Sequence, residues 1–146
     1  MEQIIVFLVL IGVGYFVGNH RERQHYQDIK QREKSTLHVP VMNWGAKQEL
    51  PYAHEAEMFV GSVVVANDYF KTIAASLRNL VGGRVTVYET LIDRGRREAL
   101  LRMKESAIDW GASQVINVRF ETSNIASQQN GGMGAIEIMA YGTGIR

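Results

Sequence analysis

Two glutamates, Glu121 and Glu137, are the side chains of this sequence best suited to metal chemistry. Each lies in a segment of alternating apolar and polar residues, Ser113 to Ser123 and Ala135 to Thr143. Such alternation predicts strands with one dry face, so both carboxylates fall on the polar side of neighbouring strands. Carboxylate oxygens bind hard cations, and Asn117 could add an amide oxygen. The sequence therefore allows a divalent-cation site at Glu121 and Glu137.

Arg119 favours a second interpretation of the same segment. It lies two residues before Glu121 and on the same side of the predicted strand. A charged network at a subunit interface explains Arg119 and both glutamates together, because surface ion pairs are common. A catalytic pair of carboxylates would in addition need a pocket. We therefore favour the interface and keep the metal site as the alternative.

Other catalytic and metal-binding chemistries find little support. The chain has no cysteine, which excludes disulfides, thiolate nucleophiles and iron–sulfur ligation. Its four histidines show none of the short spacings of a zinc site. They are His20, His25, His38 and His54. No Ser-His-Asp arrangement is evident either, so a non-enzymatic protein is predicted, with no catalytic residue and no cofactor beyond a possible divalent metal ion.

Composition narrows the function classes further. The chain has 146 residues, of which 46% are hydrophobic and 21% charged, values typical of one globular domain with a short appendage. The net charge of +1 lacks the excess of lysine and arginine that attracts polyphosphates. Nucleic acid is therefore not an expected partner.

Residues 1–19 are predicted to form a transmembrane anchor. Ile4 to Val17 is an apolar run without a charged residue, and 19 helical residues span roughly 28 Å, against about 30 Å of bilayer core. A cleaved signal peptide is the competing interpretation, but the start at Glu2 is not basic. Positive charge after the run favours the cytoplasmic side. We expect a single-pass inner-membrane protein, in contact with the lipid bilayer through residues 1–19, with its C-terminal domain in the cytoplasm.

Residues 20–56 are predicted to be a charged stalk followed by an extended linker. Residues 20–34 are dense in charges, and the two prolines of the chain, Pro40 and Pro51, favour extended backbone. Two interpretations remain for the linker. Residues 43–51 either dock on a neighbouring subunit or form a tether.

A helical hairpin is predicted from Asn67 to Trp110. Its first arm has apolar residues at spacings of three and four and ends at Gly82. Thr86 to Glu89 is a capping box that begins the second arm, which ends before Gly111. The inward stripe of that arm comprises Tyr88, Ile92, Gly95, Ala99, Met103, Ala107 and Trp110. Glycine in this stripe predicts the close approach of another element.

The turn Gly82-Gly83-Arg84 and the aromatic residues have simple interpretations. Because the turn opens a helix, its amides could hold an anion, but it lacks the ending of a nucleotide-binding loop. It is therefore predicted to be a helix-ending turn. Tyr88 and Trp110, at helical spacing, are predicted core residues rather than a ligand box.

The sheet is predicted to be small, antiparallel and covered on one side by helices. Met58 to Ala66 is rich in β-branched residues and suits a strand buried on both sides, with a bulge at Gly61. The segment Asn124 to Gly134 contains Asn-Gly and predicts a hairpin loop between the last two strands.

Several of these residues also carry a resemblance to a known family. They are Leu77-Arg78-Asn79-Leu80-Val81-Gly82-Gly83-Arg84, Tyr88-Glu89, Arg96, Ala99, Gly111-Ala112 and Tyr141-Gly142-Thr143-Gly144. In these motifs the chain resembles the YbjQ family of small bacterial proteins, also called UPF0145 or DUF74, over roughly Met58 to Ile145. The resemblance implies a dodecin-subunit-like α+β fold and pentameric rings. The family is labelled as heavy-metal-binding, but this label comes without established chemistry.

The predicted organisation is an anchor at 1–19, a stalk and linker at 20–56, and a YbjQ-like α+β domain at 57–146. We expect a membrane-anchored, cytoplasm-facing homo-oligomeric module that binds or scaffolds, in which a ring of subunits shares strands at its edges. The alternative is a protein that binds a metal ion or small ligand through Glu121 and Glu137.

Overall fold

The computed structural model describes residues 2–45, 47–49, 53–66, 86–125 and 135–146. These residues form helices α1 (Glu2–Ser35) and α2 (Thr86–Trp110) and strands β1 (Val41–Met42), β2 (Ala56–Ala66), β3 (Gln114–Asn124) and β4 (Ala135–Ile145). The chain divides into two compact units, Met1–Ser35 and Thr36–Arg146.

The first unit is the helix α1. Its second half is dense in charges, with an ion pair of 3.5 Å between Asp28 and Arg32 and the Lys30 ammonium 4.8 Å from the ring centre of Tyr26. These contacts join residues four apart, as expected on the surface of a helix. The segment predicted to be a charged stalk is therefore helical and continuous with the apolar run before it.

The predicted transmembrane anchor at residues 1–19 is wrong. In the part of the chain that the structure describes, no helix has both the length and the apolarity needed to cross a bilayer. The apolar run is the first half of a 34-residue helix whose second half is charged. The predicted single-pass location in the inner membrane is contradicted by the same finding.

The second unit contains a four-stranded sheet with the order β1-β3-β4-β2. Strands β2 and β3 both pair antiparallel with β4. The α+β class is therefore confirmed, whereas the sheet is mixed rather than purely antiparallel because β1 runs parallel to β3. The first arm of the predicted hairpin and most of the predicted loop fall at residues 67–85 and 126–134, outside the described residues.

Part of the predicted linker belongs to this sheet. Val41 pairs with Val115 and Met42 with Ile116, and the Val115 amide donates to the Pro40 carbonyl at 3.0 Å. Pro40 fixes an extended entry into β1. These residues of the linker therefore pair with their own chain.

Helix α2 packs on one face of the sheet at two glycines. A Cβ added at Gly61 of β2 would overlap the backbone of Ala99 and Met103 in α2. A Cβ added at Gly95 of α2 would meet the Ile138 side chain of β4. The predicted close approach at Gly95 is confirmed, but the predicted bulge at Gly61 is wrong, because β2 and β4 pair without a shift in register. Gly61 instead allows helix α2 to pack closely against β2.

The core lies between α2 and the sheet. Its buried residues are Val39, Phe59, Ala99, Met103, Ala107, Ala112, Val115, Ile136, Ile138 and Ala140. The predicted stripe of α2 is thus confirmed at three of these positions. At about 25 cal/mol per Å² of apolar area removed from water, this contact surface is the main source of stability.

The C-terminal end of α2 is closed by Gly111 and Arg146. Gly111 has φ +95°, and the Gly111 and Ala112 amides donate to the Ile108 and Ala107 carbonyls at 2.8 and 2.9 Å. This is a Schellman motif, which satisfies carbonyls at a helix end. The Arg146 guanidinium lies 4.1 Å from the ring centre of Trp110 and donates to its carbonyl at 2.7 Å. It also pairs with the Glu55 carboxylate.

Replacing Gly61 with alanine tests the close approach. Gly61→Ala should lower the free energy of unfolding by at least about 1–3 kcal/mol, because the methyl group meets main-chain atoms that cannot rotate away. Urea unfolding of the full chain measures this loss.

Gly95→Ala is the matched control. Its methyl group meets the end of a side chain, and alanine favours the helix by about 1 kcal/mol, so the net loss should be smaller. Equal unfolding midpoints for Gly61→Ala and the unchanged protein would contradict the proposed packing.

Candidate functional site

The face of the sheet opposite α2 carries the predicted site residues. Residues directly opposite each other in antiparallel strands share a face. Gly61 contacts α2, so the alternate residues of β2 and their partners lie on the other side. We call this the open face. It comprises Met58, Val60, Ser62 and Val64 on β2, Glu137, Met139, Tyr141 and Thr143 on β4, and Arg119, Glu121 and Ser123 on β3.

The open face is apolar at one side and charged at the other. On the edge strand β2, Met58, Val60 and Val64 expose 66%, 46% and 56% of their surfaces. On β3, two strands away, Arg119 and Glu121 are both exposed. Strand β4 lies between them and carries side chains of both kinds.

The structure brings the two predicted metal ligands to this face but does not make them direct partners. Glu121 lies opposite Met139, and Glu137 lies opposite Ser123. The two glutamates are therefore diagonal neighbours, about 7–8 Å apart at Cα. The Ser123 hydroxyl lies 3.4 Å from the Glu137 carboxylate. Among the described residues, no three His, Cys, Asp or Glu side chains are grouped as a metal site.

Arg119 shares the open face with both glutamates, as predicted. It lies opposite Tyr141, and its guanidinium donates to the Val118 carbonyl at 3.2 Å. Arg119 and Glu121 are two residues apart on one strand, so the exposed end of the face carries charges of both signs.

Asn117 does not belong with the glutamates. It lies four positions before Glu121, which is about 13 Å along a regular strand. Its side-chain oxygen accepts a hydrogen bond of 2.8 Å from the Trp44 amide. Asn117 thus fixes the segment after β1 and is not available as a ligand at Glu121.

Comparison with known proteins identifies the second unit. The model of a family described as "Putative heavy-metal-binding", YbjQ, matches residues 47–146. The chain belongs to this family. The predicted resemblance is therefore confirmed for the domain.

Relatives of this YbjQ-family chain carry the name UPF0145 protein. The one from Methanosarcina acetivorans is 41% identical over 86 residues, which are 59% of this chain and 76% of the relative. The one from Dehalococcoides mccartyi is 45% identical over 85 residues, 58% of this chain and 76% of the relative. The one from Acinetobacter baylyi is 36% identical over 91 residues, 62% and 79% of the two chains.

A solved structure is also similar. It is the crystal structure of a protein of unknown function from Pediococcus pentosaceus, assigned to the DUF74 family. It is 16% identical to this chain, with a TM-score of 0.43, and the match covers 73% of this chain and 95% of that chain.

Other candidate residues of this YbjQ-family chain have structural roles. Trp110 packs on Phe59, with ring centres 5.6 Å apart, and lies under Arg146, so its predicted core role is confirmed. His20 lies 3.0 Å from the Gln24 amide on α1. The turn Gly82-Gly83-Arg84 and the Tyr88 side chain lie outside the described residues.

Three charged groups on α2 lie away from the open face: Lys104, Glu98 and Arg102. Burial lowers the pKa of the Lys104 ammonium. The buried Glu98 carboxylate accepts a hydrogen bond of 2.8 Å from Arg102, which also donates to the Ser62 carbonyl at 2.9 Å. This pair ties α2 to β2 and is structural.

A β-bulge at Asn117 decides which residues reach the open face. Ile116 lies opposite Thr143, but Arg119 lies opposite Tyr141, so β3 has one extra residue. Asn117 takes φ +56° there. The alternation predicted for this strand holds from Val118 onward and is wrong for Ile116, because the extra residue reverses the faces. Asparagine's tolerance of positive φ was the signal for it.

Replacing Asn117 tests the bulge. Asn117→Val should lower the free energy of unfolding by about 1–2 kcal/mol, because a β-branched residue strongly disfavours the left-handed conformation and the bond to Trp44 is lost. Chemical denaturation of the full chain measures this change in the free energy of unfolding.

Asn117→Gly separates the two contributions. Glycine keeps the left-handed backbone and loses only the bond to the Trp44 amide, so its loss should be smaller than that of valine. A valine variant as stable as the glycine variant would show that backbone conformation does not matter at this position.

Proposed function

We propose that this protein is a non-enzymatic, homo-oligomeric binding or scaffold module whose subunits share strands at the edges of their sheets. The observation that supports the proposal best is the edge strand β2. It has 11 residues, its only charged residue is Glu57, and it ends the sheet on one side in the part of the chain that the structure describes.

Strand β2 lacks the devices that keep monomeric sheets apart. Proteins protect an exposed edge with lysine, proline, bulges or very short strands. Strand β2 contains no lysine or proline, and its pairing with β4 runs over all 11 residues without a bulge. The Ser62 carbonyl accepts a hydrogen bond from Arg102, but no described strand pairs with this edge, so the other outward amides and carbonyls of β2 can accept another strand.

The opposite side of the sheet offers a partner for β2. Strand β1 covers β3 only at Val115 and Ile116. From Arg119 onward, the described residues place no strand on that side of β3. Pairing β2 of one copy with this part of β3 of the next is a head-to-tail contact, which closes into a ring when the rotation between copies allows it.

Mass and hydrogen exchange together test the shared edge. Native mass spectrometry of the full chain should show a closed complex of several copies. Within it, the alternate amides of β2 that point away from β4 should exchange slowly, because they donate to the next copy.

The β2 amides that point toward β4 provide the internal control for this hydrogen-exchange measurement. The β2 amides that point toward β4 should be slow in any assembly state, because they bond within the chain. A monomer at micromolar concentration, or fast exchange at every outward amide, would rule out the shared edge.

A second candidate function is the binding of a divalent cation at Glu121 and Glu137. It is favoured by the family description and by the shared face of the two carboxylates. Two carboxylates supply only part of the six to eight oxygens that a calcium ion takes. Such a site would therefore be completed by water or by a neighbouring copy.

Calorimetric titration with Mn²⁺ and Ca²⁺ tests this function. Glu121→Gln together with Glu137→Gln should weaken cation binding at least about tenfold, which is 1.4 kcal/mol. Glu57→Gln is the control, because it removes an exposed carboxylate from β2 on the opposite side of the sheet. If the double variant binds either cation as tightly as the unchanged protein, the glutamates are not the ligands.

A further inference from the structure

The two free edges of the sheet match each other in one register. We infer that β2 of one copy pairs in parallel with β3 of the next over six residues each, Ala56–Gly61 with Arg119–Asn124, staggered by four residues relative to the register within a copy. The inference rests on the proposed function, since it specifies which residues of the shared edge meet and how the ring closes.

The Arg102 side chain limits the part of the β2 edge that another strand can use. Its guanidinium donates to the buried Glu98 carboxylate at 2.8 Å and to the Ser62 carbonyl at 2.9 Å. A ladder hydrogen bond has the same N···O distance, so the guanidinium nitrogen lies where the amide nitrogen of an added strand would lie. The residues of β2 before Ser62 remain for pairing, and these are Ala56–Gly61.

The first part of the β3 edge is occupied as well. Strand β1 pairs with Val115 and Ile116, and the Trp44 amide donates to the Asn117 side chain at 2.8 Å. Pairing between β3 and β4 resumes at Arg119 after the bulge, and from there no described strand lies on the other side of β3. The free edge of β3 is therefore Arg119–Asn124, which has the same length as the free edge of β2.

The directions of β2 and β3 decide how they pair. Both strands pair antiparallel with β4, so they run in the same direction within one copy. A sheet that continues through identical copies around a ring keeps this direction. The β3 strand of the next copy therefore adds to β2 in parallel.

The register within one copy shows that this contact is staggered. Val60 and Arg119 lie opposite the same residue of β4, so they are at one level of the sheet. Continuing the sheet at this level would put Glu57 beside Val115 of the next copy, where β1 already lies. Placing Arg119 beside Ala56 instead removes the overlap and shifts the register by four residues. Because the shift is even, the open faces of all copies stay on one side of the sheet.

A stagger between copies determines whether the sheet closes. Strands of closed sheets tilt by about 35–45° to the axis, and closure requires a fixed stagger in their register. Copies that add without a stagger continue as an open sheet, and a head-to-tail contact that does not close gives a filament. Arg102 and strand β1 both exclude the level register, so they restrict the copies to an arrangement that can close.

A pair of cysteines tests the register directly, because the chain has no cysteine of its own. In the staggered register, Val60 of one copy lies beside Ser123 of the next. Neighbouring strands are about 4.8 Å apart, which is within the Cα separation that a disulfide spans. Oxidation of the variant Val60→Cys with Ser123→Cys should therefore link subunits into covalent multimers on denaturing gel electrophoresis.

Val64→Cys with Ser123→Cys is the matched control. Both residues lie opposite Glu137, so they are two strands or roughly 10 Å apart within a copy, too far for a disulfide. Between copies they meet only if the sheet continues without a stagger. This pair should give at least about tenfold less cross-linked product than the first pair. All three substituted residues are exposed, so neither variant removes a core side chain.

Hydrogen exchange of the unchanged protein gives a second measurement that needs no variant. The inference narrows the slow outward amides of β2 to those before Ser62. Within the complex, the Val64 amide should exchange at least about tenfold faster than the Val60 amide.

Native mass spectrometry distinguishes failure of the register from failure of the shared edge. A closed complex in which Val64 and Ser123 cross-link as readily as Val60 and Ser123 would overturn the stagger and leave the shared edge intact. Equal protection of the Val60 and Val64 amides in that complex would overturn the limit at Ser62. A monomer would overturn the shared edge and the register together.

Discussion

The close contact between α2 and β2 is the constraint on which the rest of the second unit depends. Gly61 and Gly95 let the helix approach the strands until their atoms touch, so one residue larger on either side would separate them. At this distance α2 packs small residues such as Ala99 and Ala107 against the strands, while Phe120 of β3 on the same side remains 42% exposed. On the opposite face, Ile116 and Ile145 are buried at one end, whereas Met58, Val60 and Val64 of β2 are exposed.

The C-terminal end of α2 is fixed to the strands on either side of it. The Schellman motif at Gly111 turns the chain directly into β3, and Arg146 joins the end of the helix to Glu55 before β2. The guanidinium also donates to a carbonyl at the negative end of the helix dipole, where a cation is favoured. The exposed ion pair adds little by itself, but the guanidinium also stacks on the Trp110 ring, which attracts a cation over its face.

Local signals predicted much of this domain. Thr86 to Glu89 and Gly111 gave the limits of α2, and alternation on β4 placed Ile138 inside and Glu137 outside. Tertiary contacts set the remainder. Strand β1 has two residues and forms only because β3 lies beside it, so the sequence near Pro40 does not show it. A glycine at position 61 of the sequence could indicate either a bulge or the close approach of a helix. Only the packing of α2 against β2 distinguishes these two possibilities.

The error at the N-terminus has a different physical origin. The predicted anchor depended on the apolar run alone, and its length of roughly 28 Å left no margin over a bilayer core of about 30 Å. A helix does not end where hydropathy changes, because backbone hydrogen bonds continue through charged residues of good helix propensity. Helix α1 accordingly runs on to Ser35.

The bulge at Asn117 connects the fold to the candidate functions. Without the extra residue, Phe120 rather than Glu121 would lie opposite Met139 on the open face, and Arg119 would point toward the α2 side. The strand needs Val115 on the helix side, since Val115 is fully buried in the core. The same strand can present Arg119 and Glu121 on the open face only if its alternation reverses between Val115 and Arg119. A residue that tolerates positive φ therefore serves both the core and the charged surface.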